Sequence, residues 1–397
     1  MMVRIHYLLI ALIQLQTSIV IFANNGYNVV AALDPKDGET CADASRNCDE
    51  SAYEDDNGAR VESPWQFMQA FSRFGVSWNH VFKEYLSVIQ GAEGIDLKGD
   101  VLALDMDEGL NLMQTMVREA ATASKDEDWS FSLAPLEDFG STIDDVLLAF
   151  LRWAAVDTHS SHDDKTCQLV GGVNYSPFIA SPPTEVKGLN VSKAFRRLTS
   201  YIQWIHSVSS DLRNPPVTYE SISPSLSVFA LQVTHDACDR LVWWVNLGKT
   251  DMAAVKSQSP RETTRMFVWI AHLLFLDDRA QKNGLVIVDD VAEIGFWSYM
   301  TMLPIQVGIS LDRFLISVTP LKAKNVVLMH RPKWMEIGYG LMSWFLTDKM
   351  RNRVTMVSNG EEDETLGRVV GGAGFIPKDF GHGKGEVTID IIAQHRG

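Results

Sequence analysis

Four clusters in this 397-residue chain carry residue types that do chemistry. His159, His162, Asp163, Asp164 and Cys167 place two imidazoles, two carboxylates and a thiol within one short stretch, a donor set that suits zinc. A structural zinc site needs two ligand pairs held apart by a fold, and this stretch is a single polar loop, so it reads as a solvated loop. Gly248-Lys249-Thr250 has the ending of a phosphate-binding loop. The glycine that must open such a loop would fall at position 243, which is Trp243, so the backbone amides cannot wrap a phosphate. Gly381-His382-Gly383-Lys384-Gly385 neither follows a strand nor opens a helix and is no dinucleotide fingerprint. Asp289-Asp290 ends the apolar run GLVIVDD (284–290), at the carboxyl end of an expected strand, where open α/β sheets often place their sites. No Gly-x-Ser-x-Gly elbow occurs.

The elements around that aspartate pair alternate. NVVLMH (325–330) is a second short apolar run, broken by Arg331-Pro332. Between the two runs lies FWSYMTMLPIQVG (296–308), and after Pro332 comes the amphipathic segment 333–350. RVTMVSNG (353–360), EEDETLGRVV (361–370) and IPKDFGHG (376–383) follow. Short apolar runs alternating with helix-length segments predict an α/β fold with a largely parallel sheet and helical crossovers.

In that order these segments resemble the CRAL-TRIO family, the lipid-binding domain of phosphatidylinositol transfer proteins, the tocopherol transfer protein and the cellular retinaldehyde-binding protein. DRLVWWVNLG (239–248) resembles the family's first domain strand. DDVLLAFLRWAAVD (144–157) and LNVSKAFRRLTSYIQWI (189–205) resemble the helical lobe that precedes it. The resemblance spans about 142–383 and implies a carrier rather than an enzyme. It implies an apolar pocket between the sheet and a mobile gate helix, with no cofactor and no metal. By position, the floor would come from 241–246, 285–289 and 325–330, and the gate from 333–350. The implied lipid-contacting residues are Val242, Trp244, Val286, Val288, Val326 and Leu328 on the floor, and Leu341, Trp344 and Phe345 on the gate. Trp334 and Ile337 share the gate's apolar side, while Lys333, Glu336 and Asp348 lie elsewhere. The aspartate at the strand end is structural in the family, so helix capping is the expected role at 289–290.

One departure bears on the ligand. Phosphatidylinositol-binding members carry a glutamate about ten residues before the proline of the Tyr-Pro segment, and a lysine on the gate helix. The matching positions here are Ser310 and Ser343, with Asp312 and Arg313 near the first. A less polar ligand, such as a sterol, a carotenoid, a tocopherol-like molecule or a fatty acid, is therefore expected. The alternatives are another phospholipid, or a protein–protein adaptor on the same scaffold with its cavity occluded. A hydrolase built around His382 or Asp289 is the weakest reading.

Composition bounds the remaining classes. Hydrophobic residues make up 46% and charged residues 21% of the chain, ordinary for a globular protein. The net charge is −15, and it is uneven. Residues 1–183 hold 28 acidic residues against 11 basic ones, and residues 184–397 hold 22 against 24. An acidic front half repels phosphate backbones and argues against nucleic acid, whereas the near-neutral second half can approach a membrane surface transiently.

The amino terminus places one arginine before about sixteen mostly apolar residues, the shape of a secretory leader. Residues 1–32 are expected to be a signal peptide cleaved after Ala23 or Ala32, with an uncleaved anchor as the alternative. Residues 33–63 read as an acidic linker and 64–210 as a helical lobe with a loop at 157–188. The lipid-binding domain is expected over 226–397. Within the lobe, Thr142 and Asp145 form a capping pair and Asn190 caps the helix after it. Residues 211–225 are expected to be a Pro- and Ser-rich loop, 261–278 a helix, and 386–393 an edge strand or a tail beside the sheet. Four cysteines, Cys41, Cys48, Cys167 and Cys238, suit an oxidising compartment and allow three pairings. Asn174 and Asn190 head glycosylation sequons.

Overall fold

The computed structural model describes residues 101–124, 138–157, 186–292, 294–300, 302–336, 339, 351–357, 360–380, 383, 385 and 390–395. The expected leader, the acidic linker, the stretch 64–100, the zinc-like cluster, Asn174 and most of the expected gate segment lie outside them.

The helical lobe opens with α1 (Met106–Ser124) and α2 (Ile143–Ala154). A reciprocal capping box starts α2: Thr142 Oγ1 accepts from the Asp145 amide, and the Asp145 carboxylate accepts from the Thr142 amide at 2.6 Å. Its apolar face buries Val146, Leu147, Phe150 and Leu151. Strands β1 (Ala155–Asp157) and β2 (Val186–Leu189) then form a small antiparallel pair. The next helix, α3 (Val191–Ser207), is capped by the Asn190 side chain, which accepts from the Lys193 amide at 2.9 Å. Asn190 is thus buried and occupied as a cap, which leaves that sequon a poor glycan acceptor.

Where Pro and Ser predict a loop, the chain forms α4 (Ser209–Arg213) and α5 (Tyr219–Ser227), with Pro224 inside α5. Thr218 and Ser221 cap α5 reciprocally, so local capping outweighs the proline.

The main sheet has five strands in the order β3-β4-β5-β6-β7. Strands β3 (Ala230–His235) and β4 (Leu241–Asn246) pair antiparallel. After β4 the chain runs through α6 (Met252–Ser257), α7 (Pro260–Leu276) and α8 (Asp278–Asn283) into β5 (Leu285–Asp290). Ser259, Pro260 and Glu262 start α7 with a capping box and a proline in its first turn. Gly284 turns the chain into β5 at φ +92°, where a Cβ would stand 2.5 Å from Lys324 and 2.8 Å from the Lys322 carbonyl. Then come α9 (Phe296–Met300), α10 (Ile305–Arg313), a π-helical turn (Phe314–Val318) and β6 (Ala323–Met329). β7 (Val354–Met356) and α11 (Glu362–Val370) follow, and α12 (Ile391–Gln394) ends the described chain. β4 to β7 are parallel, so the sheet is largely parallel with one antiparallel edge.

The expected carboxyl-terminal strand is in part the short helix α12. Asp390, just before it, accepts from the Val233 amide at 3.2 Å and so ties the tail to edge strand β3. No helix among the described residues is long and apolar enough to cross a membrane.

Each face of the sheet carries its own core. Leu241, Trp243, Val245, Leu285, Ile287, Val326 and Leu328 join the helical lobe, α7, α9 and α10 in one cluster. Val242, Trp244, Val286, Val288, Val327 and Met329 join Leu366, Val369, Val370, Ile376 and Phe380 in the other.

Candidate functional site

Successive strand residues point to opposite faces, so the aspartate pair at the end of β5 is split. Asp290 faces the α11 side and is well provided for. It accepts from His330 Nδ1 at 2.9 Å and from the Ala292 amide at 3.0 Å, and it shares Asn246 Nδ2 at 3.4 Å. His330, with a left-handed φ of +47°, also sets its Nε2 3.5 Å from a Glu362 oxygen. One imidazole thus ties β5, β6 and α11 together at the carboxyl edge of the sheet. Next to it, Arg331 donates to the Val357 carbonyl at 2.9 Å and to Glu336, fixing the root of the segment after β6.

Asp289 faces the other way. It lies opposite Leu328 and Val245 in the register, on the face that carries Ile287 and Val326. It is 1% exposed, and neither carboxyl oxygen has a hydrogen-bond partner among the described residues. Burial pushes its pKa up to about 7, and the adjoining Asp290 charge adds to the rise. This is not a helix cap, the role expected from sequence: Asp290 orders the turn, and Asp289 is a carboxyl held in an apolar face.

Three further side chains belong to this region. Tyr299 on α9 is fully buried, and its phenol is pushed well above the ordinary value by burial first, then by Asp289 and Asp312. Asp312 on α10 is equally inaccessible. Trp334, at the start of the expected gate, packs its indole 5.2 Å from the Tyr299 ring and 5.6 Å from Phe296. The gate root is therefore seated on the Asp289 face.

The floor residues expected from sequence divide between the two faces. Val326 and Leu328 lie on the gate-root side, whereas Val242, Trp244, Val286 and Val288 lie on the opposite side, beneath α11 and Phe380. The Trp244 ring there lies 5.0 Å from that of Phe380, tilted against it, and Trp244 donates its indole N–H to Thr234 at 2.8 Å. A period of two fixes which residues share a face within one strand, but not which set in the next strand joins them. Trp243, Val245 and Ile287 share the face of Val326 and Leu328. Leu341, Trp344 and Phe345 lie outside the described residues. Of the positions near the expected phosphoinositide charges, Ser310 is half-buried and Arg313 exposed. Tyr299 carries no sequence signal that would single it out, and Asp289 was visible only as one of two adjacent acids.

A family model described as "CRAL/TRIO domain" matches residues 227–381. Those residues form a CRAL/TRIO domain. The match begins at the end of α5, takes in the whole five-stranded sheet and closes beyond Phe380. Such domains are typically modules for lipids or other hydrophobic ligands, and usually non-catalytic.

Similar proteins include tyrosine-protein phosphatase non-receptor type 9 of Mus musculus and of Homo sapiens. Each is 27% identical over 125 residues, covering 30% of this chain and 19% of the relative. This chain thus spans about a fifth of the length of the curated relatives it matches. Among solved structures, the crystal structure of Sfh5 aligns over 51% of this chain and 71% of its own, at 14% identity and a TM-score of 0.33.

Proposed function

We propose that the CRAL/TRIO domain binds a hydrophobic small molecule or lipid without altering it, and passes it between membranes. The observation that carries this reading is the match of 227–381 to a domain family of hydrophobic-ligand modules. The gate-root face supports it: Trp243, Ile287, Val326 and Leu328 give an apolar floor, broken by one buried carboxyl. The ligand would lie on that face, beneath the segment that begins at Trp334.

The carrier works in the secretory pathway or outside the cell and touches membranes transiently. Cys238 is disulfide-bonded, which suits that oxidising route, and the other three cysteines lie outside the described residues. The leader over 1–32 and a glycan on Asn174 belong to the same proposal.

Native mass spectrometry of the full chain, produced through a secretory host, tests the reading. The expected result is a population heavier by the mass of a lipid-sized molecule, lost on denaturation. A homogeneous, ligand-free protein that takes up no lipid from vesicles would favour the adaptor.

A further inference from the structure

Two buried polar side chains on the gate-root face lack hydrogen-bond partners among the described residues, and they are complementary. Asp289, 1% exposed, presents two carboxyl oxygens; Trp334, 5% exposed, presents an indole N–H. Tyr299 connects them, since its ring packs against Trp334 and its phenol feels the Asp289 charge. One strand over, on the same face, the Trp243 indole N–H is a further donor in the same state. Native interiors leave few such atoms unsatisfied, and each calls for an explanation. Asp289 and Trp334 do not bond to each other, although a carboxyl and an indole N–H would suit.

Resting on the carrier reading, we infer that the ligand is an apolar molecule ending in a hydroxyl, which bridges the two groups. Its O–H donates to Asp289, and its oxygen accepts from the Trp334 indole. A hydroxyl donates once and accepts twice, so it answers donors and acceptor together. An ammonium group has no lone pair for the indoles. An ether or an ester has nothing to donate to the ionised carboxyl. A phosphate would bring negative charge beside the buried Asp289, which burial makes costly. The high pKa of Asp289 agrees with this assignment, because a neutral carboxyl can also share a proton with an alcohol.

The test offers the delipidated full chain two matched series, one flexible and one rigid. The first is octadecanol, octadecyl methyl ether, octadecane and octadecylamine; the second is cholesterol, cholesteryl methyl ether and cholestane. Retained ligand is quantified by mass spectrometry after gel filtration. In at least one series the alcohol should bind about tenfold more tightly than its ether and its hydrocarbon, the usual loss when a buried polar group goes unanswered. In Asp289→Leu that preference should shrink to about twofold, and Trp334→Phe should lower it without abolishing apolar binding. Circular dichroism confirms that each variant folds, and the wild-type ratio decides the matter even if a variant does not. Ethers and hydrocarbons binding as well as the alcohols would overturn the hydroxyl anchor while leaving the carrier intact. Preference for the amine would overturn it in favour of a charge pair. Binding of no member of either series would overturn the carrier reading and the anchor with it.

Discussion

Asp289 and Asp290 are neighbours in sequence but not in environment, and the difference should be measurable as a pH dependence. For Asp289 the native state favours the protonated form, with a pKa raised from 3.8 to about 7. Below about pH 4 the carboxyl is neutral in both states and contributes nothing. As pH rises the unfolded chain ionises first, so stability falls through about pH 7, by at most on the order of 4 kcal/mol. His272 works in the opposite direction. Its Nε2 meets the Tyr201 hydroxyl at 2.7 Å and its Nδ1 the Val268 carbonyl at 2.7 Å; a carbonyl only accepts, so Nδ1 carries the proton. Burial lowers its pKa from 6.5 to about 4, so stability is lost as pH falls through that interval. The two slopes oppose each other in wild type. Asp289→Asn removes one, and the stability of the variant relative to wild type should grow by about 4 kcal/mol between about pH 4 and pH 8. Urea unfolding of both proteins across that range measures it, and a difference independent of pH would show that Asp289 titrates normally.

At the scale of elements, what was legible in the sequence was what local chemistry decides. Thr142 with Asp145 and Asn190 announce helix starts, and both cap as read. The runs 284–290 and 325–330 announce buried strands, and β5 is buried at all six positions. What was not legible depends on partners distant in sequence. β3 has only two fully buried residues and forms because β4 offers it an edge. α5 contains a proline and survives on its cap and on packing against α7. The phase between strands is invisible for the same reason, which is why Val288 and Leu328 were expected on one floor and lie on two. On the proposed carrier reading, that split should separate stability from ligand retention. Val288→Ala, beneath α11, should cost about 1–3 kcal/mol and leave the lipid bound per folded molecule unchanged. Leu328→Ala should cost about 2–5 kcal/mol and also change how much lipid is kept, because it reshapes the Asp289 face. Thermal unfolding and bound-lipid content on the same samples check the pair. Equal lipid loss in both would show that the two faces do not divide the work.

The whole molecule joins an acidic front half to a near-neutral domain, and the cysteines are spread over both. Cys41 and Cys48 are close enough in sequence for a local bridge, and Cys238 is already disulfide-bonded just ahead of β4. Of the three pairings that four cysteines allow, the one with a local Cys41–Cys48 bridge joins Cys167 to Cys238. Such a link would tie the loop at 157–188 of the helical lobe to the edge of the sheet. It would close a long stretch of chain, and so remove much entropy from the unfolded state. Cys238→Ser should therefore lower stability by about 2–4 kcal/mol and bring the protein closer to its unfolding midpoint in urea. Cys167→Ser should cost the same, and the double variant no more than either alone, since both remove one bond. Peptide mapping without reductant supplies the direct check: the Cys238 peptide should be recovered linked to the Cys167 peptide in protein from a secretory host. A Cys238 that alkylates without reductant, or is recovered linked to Cys41 or Cys48, would defeat this pairing and the tie between lobe and sheet that it implies.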